Sequence, residues 1–235
     1  MLKLKISEQV AFVTGANRGF GRQLALELLS RGAKVYAGAR NPESIDIPGV
    51  IPVKLDITNS QEVAAAAMLT KDVTLLINNA GSSTGASLLD GDLEKIQIEF
   101  NTHFFGTLSM VRTFAPILTN NGGGTILNIL SALSWVSNGI VGAYTAAKSA
   151  EWALTNDLRI NLYPQNVRVV GLHVGFMDTD MTQGVEAFKS NPTDIAKIAI
   201  DGIEADRFEI IADDVSQNIQ SALAGGVTAI YPSLS

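Results

Sequence analysis

The chain has 235 residues, 46% hydrophobic and 17% charged, a balance that supplies one sizeable core and argues against disorder. Its net charge of −6, with no run of basic residues, argues against a phosphate-backbone binder, so nucleic acid is not an expected partner. Cysteine is absent, which excludes disulfides and thiolate chemistry; with only His103 and His173 as imidazoles a zinc site is not expected, and both histidines read as structural.

The opening residues, Met1 to Ser7, alternate Leu and Lys and leave no room for a leader's apolar stretch, which points to the cytoplasm. No apolar run approaches the ~20 residues that a membrane helix requires. Runs rich in Val, Ile and Leu then alternate with stretches of helical period, the pattern of parallel strands covered on both faces. The prediction is an α/β fold, a Rossmann-type doubly wound parallel sheet of about seven strands, in a single domain over 1–235. Strands are expected at 10–14, 34–39, 50–55, 73–78, 124–130, 167–174 and 207–211. Helices are expected at 20–31, 60–69, 93–118, 142–162 and 192–205. The glycines of 120–124 read as a helix-to-strand turn.

Directly after the first strand, Gly15-Ala16-Asn17-Arg18-Gly19-Phe20-Gly21 opens onto the helix carrying Leu24 and Leu28. A strand feeding a glycine turn into a helix exposes amide donors and the positive helix end, which together suit a pyrophosphate. Gly15, Asn17, Arg18, Gly19, Phe20 and Gly21 are therefore expected to cradle a dinucleotide, although the spacing is a variant of the more widespread Gly-x-Gly-x-x-Gly. The second strand ends Gly38-Ala39-Arg40, with no carboxylate to bond a ribose 2′-hydroxyl. Arg40 and Arg18 offer planar donors for a 2′-phosphate instead, which selects NADP(H) over NAD(H).

Tyr144 and Lys148 lie four residues apart on a later helix and so share one face. An ammonium beside a phenol favours the phenolate and is expected to bring Tyr144 toward useful acid–base strength at neutral pH. Tyr144 could then give a proton to a carbonyl oxygen.

In chain order, Thr14-Gly-x-x-x-Gly-x-Gly21, Asn78-Asn79-Ala80-Gly81, Asn101, Ser131 and Tyr144-x-x-x-Lys148 resemble the short-chain dehydrogenase/reductase family, over residues 9 to about 181. The resemblance implies a catalytic set of Asn101, Ser131, Tyr144 and Lys148. Ser131 would polarise the substrate carbonyl, Lys148 would bond the nicotinamide ribose as well as tune Tyr144, and Asn101 would hold a water linking Lys148 to solvent. It also implies that Asp56 bonds the adenine amino group with Ile57 packed beside it, and that Asn79, Ala80 and Gly81 run along the adenosine ribose. Gly175 and Thr179 would meet the nicotinamide end. Val174 stands where the family usually has proline, which restores a backbone N–H and is expected to loosen that end.

These expectations amount to an NADPH-dependent oxidoreductase of the carbonyl reductase or alcohol dehydrogenase type, reducing a ketone or aldehyde reversibly. Trp135, Val136, Phe176, Met177 and Met181 flank the site and suggest a small hydrophobic or aromatic substrate, with residues 179–191 as a lid. One competing reading is a non-catalytic NADP(H)-binding sensor or scaffold. Another is a lyase or dehalogenase that uses the Ser–Tyr pair without a dinucleotide. Beyond Gly184 the resemblance weakens, and homodimer and homotetramer are equally compatible with the chain.

Overall fold

A computed structural model describes residues 4–234; residues 1–3 of the N-terminal stretch and residue 235 lie outside the described residues. Seven strands, β1 (Val10–Thr14), β2 (Lys34–Ala39), β3 (Ile51–Lys54), β4 (Leu75–Asn78), β5 (Gly124–Ile129), β6 (Val167–His173) and β7 (Glu209–Ile211), form one sheet. The order is β3-β2-β1-β4-β5-β6-β7 and every pairing is parallel. The chain moves outward from β1 to β3 and then returns to β4 on the other side of β1. That reversal opens a crevice beyond the carboxyl ends of β1 and β4, where open α/β sheets bind ligands.

Alternation along the strands decides which core each side chain enters. Ala11 and Val13 join one apolar cluster with Leu24 and Leu28 of helix α1 (Gly19–Ser30) and with Ile195, Ala199 and Ile203, which lie on a later helix. Phe12, between them, joins the opposite cluster with Val63 and Ala66 of α2 (Ser60–Leu69). The remaining helices are α3 (Leu93–Phe100), α4 (Thr107–Asn120), α5 (Gly142–Leu162), α6 (Pro192–Glu204, which carries Ile195 to Ile203), α7 (Asp214–Ala222) and α8 (Val227–Ile230).

The fold departs from the sequence expectation in two places. The stretch 93–118 is not one regular helix: a π-helical turn, Asn101–Gly106, separates α3 from α4. Such a turn inserts an extra residue and rotates the helix beyond it. It ends at a glycine pressed by Ile57, whose Cδ1 would lie 2.7 Å from a Cβ on Gly106. The second departure is α7 and α8, which were not expected. Asp213 starts α7 as an N-cap, its Oδ1 accepting from Ser216 N–H at 2.8 Å. Among the described residues no helix is long and apolar enough to cross a membrane.

Candidate functional site

Thr14, the last residue of β1, ties the glycine turn to the loop after β4. Its Oγ1 accepts from the N–H groups of Asn79 and Ala80, each at 2.9 Å, and donates to Ile77 O. The Asn79 amide then donates to Thr14 O at 2.9 Å and Gly15 O at 3.3 Å. This packing is why the turn is made of glycine: a Cβ on Gly21 would overlap Gly15 O and the Asn79 amide, and Gly15 and Gly19 have φ of 65° and 54°. Helix α1 starts here with no side-chain cap, so its first amides point unshielded into the crevice. Phe20 contributes only its backbone, because its ring is part of the core.

Two exposed arginines flank that cradle. Arg18 is exposed, with Nη1 3.5 Å from Asp180, and Arg40 is exposed at the end of β2 with no ion pair among the described residues. Asn17 donates to Ser44 at 3.1 Å. Asp56 spends Oδ1 on the N–H and hydroxyl of Thr58, and Ile57 is buried beside it. Thr179 lies over the start of α1, where its Cβ would be 3.7 Å from a Cβ on Gly19. The Val174 segment is not loosened as expected: Val174 is buried, its carbonyl accepts from Ala132 N–H at 3.0 Å, and Gly175 N–H donates to Asp213 at 2.7 Å. Those bonds supply the restraint that a proline ring would otherwise give. A cradle that a Cβ would fill, open amides at a helix start and two guanidiniums without a facing carboxylate on β2 fit a phosphorylated dinucleotide.

Ser131, just past β5, and Tyr144 and Lys148, one turn apart on α5, meet at the carboxyl edge of the sheet. Ser131 lies near enough to the Tyr144 phenol to lower its pKa, and its Oγ accepts from Leu133 N–H at 3.1 Å. Lys148 Nζ is 5.9 Å from the Tyr144 ring centre and donates to Ile129 O at 2.6 Å and to Glu151 Oε2 at 2.7 Å. Burial works against the ammonium, but the charges of Glu151 and Tyr144 outweigh it and raise the Lys148 pKa, so Lys148 keeps its proton. The phenol corrects the sequence expectation. Burial raises the Tyr144 pKa, Lys148 and Ser131 offset only part of that, and Glu151 and Glu99 push it further up. Tyr144 therefore holds its proton firmly at neutral pH in the protein without cofactor.

Asn101 does not join this group. It is exposed on the π-helical turn and lines a hollow of about 320 Å³ with Ile57, Thr58 and Phe105, so the water-holding role that the resemblance gave it is not supported by its position. The residue that this turn directs at the site is His103. Its ring meets the Tyr144 ring edge-on, 5.2 Å between centres and 88° between planes. His103 lies between two buried carboxylates: Nε2 is 3.3 Å from Glu99 Oε2, and Nδ1 is 3.9 Å from Glu151 Oε2. Glu99 also accepts from Ser82 Oγ at 2.8 Å and from Thr84 N–H. Burial alone would raise the Glu99 pKa, yet the bonds from His103, Thr84 and Ser82 hold it down to about 2. Glu151 accepts from Thr107 Oγ1 at 2.8 Å through its other oxygen. Sequence reading missed Glu99, His103 and Glu151. The available signal was spacing: Glu99 and His103 are four apart, and Glu151 is three beyond Lys148.

The family model for short chain dehydrogenases matches residues 9–190. The chain belongs to the short-chain dehydrogenase/reductase family of oxidoreductases. It is 33% identical over 182 residues to the NADPH-dependent 1-acyldihydroxyacetone phosphate reductase of Schizosaccharomyces pombe, covering 74% of this chain but only 61% of that protein. Its fold is similar to that of a short chain dehydrogenase from Burkholderia cenocepacia in complex with NADP, with a TM-score of 0.94, 39% identity and coverage of 98% and 99% of the two chains. A family member from Burkholderia phymatum, in complex with NAD, has a TM-score of 0.84 and 25% identity, covering 94% of this chain and 95% of that one.

On the substrate side of this short-chain dehydrogenase, Trp135 does not face an open pocket. Its ring stacks on His173 at 3.7 Å, and His173 in turn contacts Ser131 O at 3.2 Å and Glu209 Oε1 at 2.8 Å. The pair braces the turn that carries Ser131. Phe176 and Met181 remain exposed beside it, while Met177 packs on the core. The segment after Thr179 encloses a polar hollow of about 320 Å³ between Asp178, Asp180, Gln183 and Lys189.

Proposed function

We propose that the protein is an NADPH-dependent carbonyl reductase in which Tyr144 is the general acid, Ser131 the carbonyl-orienting donor and Lys148 the ammonium that holds the cofactor ribose and the phenol in register. The observation that carries the reading is the convergence of the buried Ser131 and Lys148 on the phenol of Tyr144 at the carboxyl edge of β5, beside β4 and two strands from β1, which carries the glycine cradle. Bound NADPH would supply a hydride to the carbonyl carbon. As that carbon is reduced, its oxygen becomes a far stronger base than a phenolate, so a phenol with a raised pKa still transfers its proton downhill. A donor fixed where the oxyanion develops stabilises the transition state more than the ketone, which is the role argued for Ser131.

Selection of NADPH rests on Arg18 and Arg40, since family members of similar fold are found with either nucleotide. Glycine-turn contacts are assigned to Gly15, Asn17, Arg18, Gly19, Phe20 and Gly21, and the far end to Val174, Gly175 and Thr179, with residues 179–191 closing over the substrate. Asp56 and Ile57 are assigned to the adenine, Asn79, Ala80 and Gly81 to its ribose. The exposed Phe176 and Met181 favour an apolar or aromatic ketone or aldehyde. The test is consumption of NADPH and NADH across a panel of such carbonyls, by the native protein and by Tyr144→Phe. NADPH should be preferred, and the variant should lose about 10²-fold or more in kcat; equal turnover by the variant overturns the assigned acid.

A further inference from the structure

We propose that His103 and Glu151 form a proton reservoir that reloads Lys148 and Tyr144 after each reduction. The proposal rests on the reading of Tyr144 as the acid, and deepens it. A phenol that has given its proton to the product must regain one, yet the half-buried Tyr144 is covered by the product it has just protonated, and Lys148 is 5% exposed. The resupply therefore has to pass through buried groups. Those present are arranged in a row: Tyr144, Lys148, Glu151, His103, Glu99, and then Ser82 on the partly exposed loop after β4.

One position in the row can take up a proton. On His103, Nε2 faces two acceptors, Ser82 O at 2.9 Å and Glu99 at 3.3 Å, against one donor, the Ser82 N–H at 3.3 Å, and we assign the ring proton to Nε2 on that balance. His103 Nδ1 is buried and has no hydrogen-bond partner among the described residues, with the Glu151 carboxylate 3.9 Å away. A proton placed on Nδ1 faces one buried carboxylate and leaves the ring flanked by a second. The group then contains two carboxylates, an imidazolium and an ammonium, with charges that cancel, which removes the cost of an uncompensated buried anion.

Each transfer balances. Tyr144 O–H gives its proton to the product oxygen and becomes phenolate. Lys148, two of whose three protons are engaged by Ile129 O and Glu151, gives one proton to the phenolate. Glu151 passes a proton to the Lys148 nitrogen as it receives the Nδ1 proton, over a gap that a small shift or one water closes. The ring is left neutral, still donating through Nε2, and takes a proton from water at Nδ1 when the product leaves. One solvent proton is consumed per carbonyl reduced, as the overall reaction requires. Thr107, bonded to Glu151 Oε1, keeps the carboxylate aimed along the row.

Glu151→Gln keeps the shape and the bond to Thr107 but cannot carry the proton. The measurement compares the first turnover of enzyme-bound NADPH with steady-state kcat, in water and in heavy water. The expected result is a steady-state kcat lowered at least about tenfold more than the first turnover, with a solvent isotope effect larger in the steady state than in the first turnover. Unchanged steady-state kcat, or a first turnover that falls in the same proportion, overturns the reservoir. If Glu151→Gln does not fold, His103→Gln is read by the same split. Nitrogen NMR of labelled histidine supplies a readout apart from activity, with the His103→Gln spectrum separating the signals of the two histidines. His103 should carry a proton at Nδ1 in the native protein at the pH of the assay; a ring protonated at Nε2 alone overturns the proposal. A native protein that reduces no carbonyl, with His103 Nδ1 nonetheless protonated, would instead sink the reading of Tyr144 as an acid.

Discussion

Glu99 carries its charge inside the protein because His103, Thr84 and Ser82 all donate to it, and that arrangement sets an acid limit on stability. A carboxyl whose folded pKa is near 2, below the ordinary unfolded value of about 4.3, stabilises the fold fully above that higher value. The contribution fades as pH falls toward 2. Thermal unfolding of the native protein should therefore show a midpoint that drops between pH 5 and pH 2, with Glu99→Gln less stable at neutral pH but flatter through that window, as read by circular dichroism; a variant as steep as the native protein would contradict this. At the other side of the crevice, Arg40→Ala removes a guanidinium that makes no ion pair of its own among the described residues. Loss of one charge-assisted phosphate contact should lower kcat/KM for NADPH about tenfold to a hundredfold and leave NADH unchanged. The arginines, the Ser–Tyr–Lys set and the glycines could be named as candidates because each depends on local spacing or on the end of a predictable strand. His103 was legible only in part: Glu99 lies four residues before it, but Glu151 is brought to it by α5 from a distant part of the chain.

At the scale of elements, the site depends on how α5 is fixed to the sheet. Asn78 of β4 donates to Asn128 of β5 at 2.8 Å, Asn128 donates to Thr155 of α5 at 2.9 Å, and Thr155 donates to Glu151 O at 2.8 Å. This buried ladder holds the turn of α5 that bears Lys148 and Glu151. Asn128→Ala should leave two of its partners without their bonds and cost about 1–3 kcal/mol in urea unfolding; a loss below measurement would show that packing alone seats the helix. In the glycine turn, Gly21→Ala forces a Cβ onto Gly15 O and the Asn79 amide. NADPH titration by fluorescence should show binding lost or greatly weakened in that variant, and unaltered affinity would remove the cradle from the account. The π-helical turn explains why Asn101 was assigned wrongly from the sequence. Over 93–118 the apolar period looks continuous, and only the contact between Gly106 and Ile57, distant in the chain, marks where the helix widens and turns Asn101 outward and His103 inward.

For the molecule as a whole, the seven-stranded parallel sheet was readable because most strands are short apolar runs followed by a helix, β2 and β3 being joined without an α-helix. Boundaries held to within two residues, with β7 the shortest and least defined by its own sequence. The tail was not readable: α7 is polar along much of its length and is held by the Asp213 cap, while the Tyr231 hydroxyl, accepting from Ser137 N–H at 2.8 Å, ties the end of the chain back to the loop after Ser131. Those are tertiary contacts without a local signature. The central claim, that this fold places a nicotinamide nucleotide against a carbonyl beside Tyr144, is tested most directly by isotope transfer. NADPH carrying deuterium at the reactive carbon is mixed with the protein and a reducible ketone, and the alcohol is weighed by mass spectrometry. The account predicts one deuterium on the carbinol carbon, formed by the native protein and not by Tyr144→Phe; an alcohol without the label, or no alcohol from any ketone or aldehyde tried, would contradict it.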